Sequence, residues 1–373
     1  MTKKVILYTL QTFSTTGGIQ KMTRTMAHSL NVLSQRCGWD FQLWSAYDSN
    51  EDLMLQYLPA ENFVGFGGSR TSFVLKTILL RKRPDIVIIS HVNLAIIGLL
   101  IKLIKPRSKV WLIAHGIEVW RPLSATKKMF LKRCDKVVCV SNFTKGQMMS
   151  RHKLCEQACQ VLNNAIDPFM RLPENFAKPA QLLERYRLTA ETPVIFTLTR
   201  LASTEQYKGH DQVIKVLCNL KQRYPGIRYI LAGQYDHQEE LRIHRLISEA
   251  KVDNDVILTG FISEEEITAH FLLADLFVLP SKKEGFGIVF IEALACGLPV
   301  VCGNADGSID AIRNGKLGTA VNADNPAELE NAICNYLDIP LTVERRQDLR
   351  QACLAEFNDN DYIDTLEKML ADD

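Results

Sequence analysis

The stretch from residue 275 to residue 301 limits the possible folds of this chain more than any other. Asp275-Leu276-Phe277-Val278-Leu279-Pro280 reads as a buried strand, and a turn with two glycines, Gly285 and Gly287, follows it. A helix is predicted from about Gly287 to Cys296, because Gly297 can end it and Pro299 blocks its continuation. Val300-Val301 then begins another strand. This order of elements is typical of an α/β fold with a parallel sheet.

The start of this helix is predicted to bind an anion. Free N–H groups and the positive end of the helix dipole favour negative charge there, and Gly285 and Gly287 let a phosphate approach closely. Glu284 precedes the turn and Glu292 lies within the helix. At ~1.5 Å rise per residue, the two carboxylates would be on the order of 10 Å apart. A diphosphate between two hydroxyl-bearing rings fits that spacing, with Glu292 at a ribose and Glu284 at a sugar. The alternative is a plain βαβ unit with two surface glutamates.

The Glu284-x7-Glu292 string resembles the signature of retaining GT-B glycosyltransferases ("glycosyl transferases group 1"). That group includes phosphatidylinositol mannosyltransferases, sucrose synthases and lipopolysaccharide glucosyltransferases. The resemblance implies an α/β fold of two Rossmann-like domains whose parallel sheets face across a cleft. It implies an acceptor-side domain at 1–167, a nucleotide-sugar domain at 168–355, and a C-terminal helix at 356–373 that crosses back to the first domain.

The same resemblance implies a reaction, the transfer of a hexosyl unit from a nucleoside-diphosphate sugar to an acceptor hydroxyl with retention of anomeric configuration. His115-Gly116-Ile117-Glu118 follows a predicted strand and is similar to a family motif whose His contacts the transferred sugar. The family also places an Arg and a Lys against the donor diphosphate, where Arg200 and Lys208 follow another strand. The predicted catalytic residues are His115, Arg200, Lys208 and Glu284.

Besides the helix predicted from about Gly287 to Cys296, the predicted donor site contains glycine turns at strand ends and a platform for the nucleobase. The loop with Gly17 and Gly18 is implied to close over the donor phosphates, and the backbone near Phe261 matches the platform. Residues 303–310 are predicted to form a further loop at the site, with Asp310 where many relatives have Glu. The predicted donor-binding residues are Gly17, Gly18, Arg200, Lys208, Gly233, Phe261, Glu284, Phe286, Gly287, Ile288, Val289 and Glu292.

The acceptor side and the cofactor requirement are also predicted. His91 and Asn93 follow a strand at 86–90, at the end where open α/β sheets bind ligands, and with Glu118 they form the predicted acceptor side. No Asp-x-Asp motif has a suitable strand context. We therefore predict no metal ion and no cofactor, with Arg200, Lys208 and helix dipoles in place of a cation. The nucleoside-diphosphate sugar is a substrate.

Charge is divided unevenly along the chain. Residues 1–170 hold 23 Lys and Arg against 10 Asp and Glu, whereas the remainder holds 21 against 32. A basic amphipathic helix is predicted at 69–83 and a basic helix at 125–133; an ordinary surface helix is the alternative for the former. No aromatic-lined nucleic-acid surface or helix-turn-helix is recognisable. The predicted partners are a glycan or lipid-linked acceptor, such as a cell-surface glycan precursor, and an anionic membrane surface, not nucleic acid.

The compartment is predicted from cysteine use and hydropathy. Ten scattered cysteines favour a reduced compartment, and no secretory signal is recognisable. Residues 86–104 read as a strand and a helix, not as a membrane span. The prediction is a cytoplasmic protein that attaches peripherally to the inner face of the membrane. Two other functions stay open: a non-catalytic GT-B scaffold that binds a lipid surface, and a nucleotide-sugar 2-epimerase.

Overall fold

The computed structural model describes residues 2–371. These residues form two compact units, one from the described parts of Met1–Phe169 and Phe357–Asp373, the other from Met170–Glu356. Each unit has a parallel sheet and flanking helices. The predicted architecture of two Rossmann-like α/β domains with parallel sheets is therefore confirmed.

The strands, in chain order, are β1 (Lys4–Thr9), β2 (Asp40–Ser45), β3 (Phe63–Gly65), β4 (Ile86–Ile89), β5 (Lys109–Ala114), β6 (Lys136–Cys139), β7 (Cys159–Val161), β8 (Val194–Leu198), β9 (Arg228–Ala232), β10 (Val256–Gly260), β11 (Leu276–Leu279), β12 (Val300–Gly303) and β13 (Thr319–Val321). The sheet of the first unit has the order β3-β2-β1-β4-β5-β6-β7. The sheet of the second unit has the order β10-β9-β8-β11-β12-β13.

The helices are α1 (Gly18–Cys37), α2 (Arg70–Ile78), α3 (Ala95–Ile104), α4 (Ile117–Trp120), α5 (Ala125–Arg133), α6 (Asn142–His152), α7 (Ala180–Tyr186), α8 (His210–Arg223), α9 (His237–Glu249), α10 (Glu264–Leu273), α11 (Ile288–Ala295), α12 (Ser308–Ala311), α13 (Pro326–Leu337), α14 (Val343–Phe357) and α15 (Asp359–Ala371). The central strands β4 and β11 are buried along their whole length. This explains why they read as continuous apolar runs and not as alternating patterns.

Two elements of the first unit differ from the sequence prediction. The helix predicted at 69–83 ends at Ile78. The three consecutive cations at 81–83 repel one another, and Pro84 disfavours helical backbone at Arg83, so the chain leaves the helix early. The other difference is β3, a three-residue edge strand that is too short to give a recognisable pattern.

Residues 86–104 form β4, a short turn and α3, as predicted. Among the residues that the structure describes, no helix combines the length and the hydropathy needed to cross a membrane.

The last helix packs against the first within the first unit. The Arg36 guanidinium donates to the Asp364 carboxylate at 3.1 Å, and the Ile166 N–H donates to the Phe357 carbonyl at 2.9 Å where the chain returns. The Lys136 ammonium donates to the Met369 carbonyl at 2.9 Å beneath the sheet. These contacts place α15 in the first unit, although the second unit separates it from the rest in sequence.

Candidate active site

The candidate donor site lies at the carboxyl ends of the strands in the second unit. The chain builds β8, β9 and β10 outward in one direction, then crosses back to place β11 on the other side of β8. Such a switch point leaves a crevice between two loops, where open α/β sheets bind ligands. Lys208 lies in a 3-10 turn after β8, and Glu284 lies in the loop after β11. The fold therefore places these two predicted residues on opposite sides of one crevice.

Lys208 and Glu284 form an ion pair at this crevice. The Lys208 Nζ lies 2.5 Å from the Glu284 Oε1, and their side chains are only 13% and 16% exposed. Burial alone would lower the pKa of Lys208, but the Glu284 carboxylate, with smaller contributions from Glu205 and Tyr207, outweighs burial and holds this pKa above its ordinary value. Lys208 thus carries a positive charge at neutral pH in a position largely shielded from water.

Asp306 supports the turn that carries Glu284. Its buried carboxylate accepts from the Glu284 N–H at 2.7 Å and from the Ser281 hydroxyl at 2.6 Å. The Gly307 N–H donates to the Glu284 carbonyl at 2.8 Å. Burial and the nearby Glu284 raise the pKa of Asp306 to about 6. The sequence predicts a loop at 303–310 and points to Asp310 within it; the signal that identifies Asp306 is a carboxylate directly before a loop glycine.

The helix after this turn begins as the sequence predicted. Gly287 caps α11 with φ +79°, and a Cβ there would lie 2.5 Å from the Phe290 ring. Only glycine fits this conformation and this space. Of the neighbouring predicted donor residues, Phe286 and Ile288 are buried and Val289 is half-buried.

Glu292 is the fifth residue of α11 and is buried. The prediction that it contacts a ribose stays a prediction.

Arg200 takes a different position from Lys208. Its guanidinium is exposed and pairs with Glu205, with Nε 3.2 Å from the carboxylate. The charge of Glu205 also contributes to the raised pKa of Lys208. Glu205, which sequence analysis did not identify, is therefore the acidic group that the two predicted phosphate-binding cations share.

The ends of β9 and β10 meet beside the exit of β8. Gly233 has φ +145°, and a Cβ there would lie 1.7 Å from the Thr199 carbonyl oxygen. Its N–H donates to the Gly260 carbonyl at 2.9 Å, which brings Phe261 to the same edge of the sheet. Phe261 is 61% exposed at this edge.

The first unit contains a second cluster, at the ends of β4 and β5. The ring of His115 is buried, and its Nε2–H donates to the Ser90 carbonyl at 2.7 Å. The His115 N–H donates to the Glu118 carboxylate at 2.7 Å. Burial lowers the pKa of His115 to about 4 and raises that of Glu118. His115 is therefore a neutral imidazole at physiological pH, with Nδ1 as the nitrogen without a proton.

His91 and Asn93 belong to the same cluster. The His91 Nδ1 accepts from the Asn93 N–H at 3.0 Å, and the Asn93 Oδ1 accepts from Lys127 at 2.5 Å. Burial lowers the pKa of His91 to about 4, although the charge of Glu118 opposes this. The fold thus brings the three predicted acceptor-side residues together with His115. It adds Lys127 from α5, which sequence analysis treated only as part of a basic helix.

Gly17 and Gly18 lie at the start of α1, after a loop that buried charged side chains hold by hydrogen bonds. The buried Asp48 carboxylate accepts from the Thr12 N–H at 2.6 Å and from the Ser14 N–H at 2.9 Å. The buried Arg24 guanidinium donates to the Thr12 carbonyl at 2.9 Å. These two charged residues were not identified from the sequence, because side chains that order a loop from beneath give no local pattern.

Two protein families match the chain. Residues 38–168 match "Glycosyltransferase Family 4", and residues 183–353 match "Glycosyl transferases group 1". Two Rossmann-like domains with these matches define the GT-B fold class. Each unit thus resembles its counterpart in the GT-B glycosyltransferases.

Several proteins of known function are similar to it. The GDP-mannose-dependent alpha-(1-6)-phosphatidylinositol monomannoside mannosyltransferase of Mycolicibacterium smegmatis is 32% identical over 61% of this chain and 60% of its own length. The alpha-D-kanosaminyltransferase of Streptomyces kanamyceticus is 27% identical over 58% of this chain and 54% of its own length. The chain thus matches about 60% of the length of such relatives.

Solved structures share the fold. The Anabaena HepE protein, crystallised in complex with UDP and glucose, superposes with a TM-score of 0.79 at 19% identity, over 99% of this chain and 100% of that one. A Rickettsia africae glycosyltransferase superposes with a TM-score of 0.77 at 22% identity, over 98% and 97% of the two chains.

Proposed function

We propose that this protein is a retaining hexosyltransferase that moves a sugar from a nucleoside diphosphate to an acceptor hydroxyl. The observation that carries the proposal is the shielded Lys208–Glu284 pair at the switch point of the second sheet, next to the start of α11. The ammonium and the helix N–H groups suit a diphosphate, and the carboxylate suits sugar hydroxyls. Neither half of this arrangement alone would select a nucleotide sugar.

In this proposal, two cations stabilise the leaving group. When the bond to the sugar breaks, negative charge grows on the diphosphate, and Lys208 and Arg200 stabilise it. Lys208 is held at Glu284 before the donor arrives, so the diphosphate shares the ammonium with that carboxylate. Glu284 then accepts hydrogen bonds from the sugar, and Glu292 from the ribose, while the backbone near Phe261 receives the nucleobase.

Retention follows from reaction on one face of the sugar. The bond from C1 to the β-phosphate oxygen breaks, and the acceptor oxygen bonds to C1 on the same face. The acceptor proton passes to the departing β-phosphate oxygen. Glu284 as a covalent nucleophile is the less favoured course, since its ion pair with Lys208 weakens its nucleophilicity.

The proposed reaction needs no metal ion. Support comes from the charge of Lys208, which is already in place beside the start of α11. Full activity in EDTA, and no gain with Mg²⁺ or Mn²⁺, would agree with this; activity that returns only with a metal ion would contradict it.

The relatives suggest the donor and the acceptor. Four of them are GDP-mannose-dependent phosphatidylinositol monomannoside mannosyltransferases. We therefore propose GDP-mannose as the first donor to test and an anionic, lipid-linked sugar as the acceptor. The excess of positive charge in residues 1–170 supports an anionic acceptor.

A surface of the first unit also supports peripheral attachment to the inner face of a membrane. The helices α2 and α3 pack side by side. Leu79, just after α2, is 71% exposed, and Leu103 at the end of α3 is 72% exposed. The cations at 81–83 begin two residues after Leu79. Apolar burial and attraction to anionic lipid reinforce each other at such a surface.

A binding and product experiment tests the function. Thermal unfolding is followed with GDP, UDP, ADP and their sugars, because a ligand of the native state raises its stability. Product from the donor that binds is then analysed by NMR for its anomeric configuration. A stabilising donor and a retained linkage support the proposal. Inverted product would refute retention, epimerised donor without acceptor would indicate the 2-epimerase, and binding to none would favour the scaffold.

Liposome sedimentation tests the membrane surface. The wild type should sediment with anionic vesicles at low salt, and Leu79→Ser with Leu103→Ser should reduce the bound fraction several-fold. Leu241→Ser, at an exposed leucine of α9 in the second unit, is the matched control and should bind as the wild type does. Equal binding by all three proteins would contradict the proposed surface.

A further inference from the structure

A closed cluster of charged side chains lies behind the candidate donor site, at the start of α8. It consists of His210 and Asp211 of α8 with Glu239 and Arg242 of α9, and we call it the α8–α9 cluster. Glu239 is 0% exposed and His210 is 1% exposed. None of these residues was predicted to contact the donor.

Arg242 is the centre of the α8–α9 cluster. Its Nη1 and Nη2 donate to the two oxygens of Asp211 at 2.6 and 2.7 Å. Its Nε and Nη2 donate to the two oxygens of Glu239 at 2.8 and 2.6 Å. The fork of the guanidinium therefore holds two carboxylates in two-point contacts, which a lysine cannot reproduce. Although burial alone would raise it, the bonds from Arg242 and His210 hold the pKa of Glu239 at about 2.

His210 joins the same carboxylates. Its Nε2 lies 3.0 Å from Glu239, 3.1 Å from Asp211 and 3.0 Å from the Arg242 Nη2. The ligand atoms of His210, Asp211 and Glu239 lie close enough to hold a metal ion. The Arg242 guanidinium already supplies the cation among them.

The cluster is a costly way to stabilise a fold. Buried charges lose their hydration, and apolar residues of similar volume often give equal or greater stability. What charged, two-point contacts provide is a fixed geometry. The α8–α9 cluster is therefore suited to hold a neighbouring group in a fixed position.

The chain connects the cluster directly to Lys208. Only Gly209 separates Lys208 from His210; it has φ +86°, and a Cβ there would lie 2.2 Å from the Pro280 carbonyl oxygen. The Lys282 N–H donates to the Tyr207 carbonyl at 2.9 Å. The segment is thus held on one side by the loop after β11 and on the other by the α8–α9 cluster.

Helix α9 also holds the beginning of the loop that carries Lys208. The Asp236 carboxylate, which caps α9, accepts from the Ser203 N–H at 2.8 Å. The loop from Ser203 to Asp211, which contains Glu205 and Lys208, is therefore attached to α9 at both ends.

We propose that Arg242 is a positioning residue for donor binding. Its fork fixes His210 and Asp211, and through them it sets where the Lys208 ammonium meets Glu284 and the donor diphosphate. The inference rests on the proposed function, since it takes Lys208 to bind the diphosphate.

The test is a double-mutant cycle read by nucleotide affinity. Arg242→Lys keeps the charge but loses the fork, and Arg245→Lys, at an exposed arginine of the same helix, is the matched control. The dissociation constant of GDP, or of UDP if the wild type prefers it, is measured by calorimetry. We expect Arg242→Lys to weaken binding about tenfold. Arg245→Lys should stay within twofold of the wild type.

The cycle separates positioning from general structural damage. If Arg242 acts through Lys208, then Arg242→Lys should cost little further affinity in a Lys208→Ala background. An equal loss in both backgrounds, or no loss in either, would overturn the inference. Should Arg242→Lys fail to fold, Glu239→Gln enters the same cycle, with a smaller loss expected only when Lys208 is present.

The outcomes also distinguish this inference from the proposed function. If the wild type binds no nucleotide, or if Lys208→Ala binds as the wild type does, then the proposed function fails. If Lys208→Ala loses affinity and neither cluster variant does, only the role of Arg242 is refuted.

Discussion

The Lys208 ammonium lies 2.5 Å from the Glu284 carboxylate, although the two residues are 76 positions apart in the chain. One follows β8 and the other follows β11, and the two strands are neighbours in the sheet. The strand order thus assembles, from distant segments, a cation and an anion that a nucleotide sugar would use together.

Replacing either member of the pair should stop transfer. Glu284→Gln and Lys208→Ala should each lower kcat/KM by about 10²–10³-fold, the usual cost of removing a transition-state contact in a shielded site. Circular dichroism should show that both variants fold. Lys282→Ala, which removes an exposed lysine of the same loop, is the control and should keep wild-type rates. Near-normal rates in Glu284→Gln or Lys208→Ala would refute the assigned site.

Gly287 should not tolerate a side chain. Gly287→Ala forces alanine into φ +79° and against the Phe290 ring, so we expect a loss of more than about 1 kcal/mol in the free energy of unfolding. Nucleotide affinity should fall as well, because the first turn of α11 shifts. Gly146→Ala is the control, since Gly146 lies inside α6 with open space around it. That change should stabilise the protein by about 0.5–1 kcal/mol. Equal unfolding midpoints for the two variants would count against the strained cap.

His115 should stay neutral through the physiological pH range. Its pKa of about 4 follows from burial, and its Nε2–H is held by the Ser90 carbonyl. Nitrogen NMR of the ring should show the Nε2–H tautomer unchanged from pH 8 to pH 5, with free histidine in the same buffer as the reference. A ring that titrates near pH 6.5 would show that the group is open to water and could act as an acid.

The lowered pKa values of His115 and His91 make the free energy of unfolding depend on pH. In the unfolded chain, His115 and His91 take up protons near their ordinary pKa of about 6.5. In the folded protein the two imidazoles stay neutral down to about pH 4. The unfolded state therefore binds more protons in this window, and these two residues lower the stability as pH falls from about 6.5 to 4. Urea unfolding of His91→Asn against the wild type should show a smaller fall for the variant. A parallel fall would contradict the buried, neutral imidazole.

Asp306 should have the opposite effect. Its pKa is raised to about 6, so the folded state binds a proton before the unfolded state does, and its contribution to stability grows as pH falls through 6. The wild type should gain about 1 kcal/mol relative to Asp306→Asn between pH 7 and pH 5. Urea unfolding at both pH values measures this, and the histidines affect both proteins equally. A constant difference would show that the pKa of Asp306 is not raised in the folded protein.

The sequence by itself determined the fold class and the local elements of the candidate donor site. Buried parallel strands are continuous apolar runs, glycine turns and helix ends depend on local backbone conformation, and all of these are visible within a few residues. For this reason the strand, turn and helix at 275–301 could be predicted closely, and so could the start of α11 at Gly287.

Only the tertiary structure decided how the residues act together. The supports of the site come from other segments: Asp306 holds the Glu284 turn, and Arg242 of α9 holds the residues after Lys208. The lowered pKa of His115 likewise comes from burial. Long-range contacts and burial depend on the strand order and on packing, and no local pattern of residues encodes them.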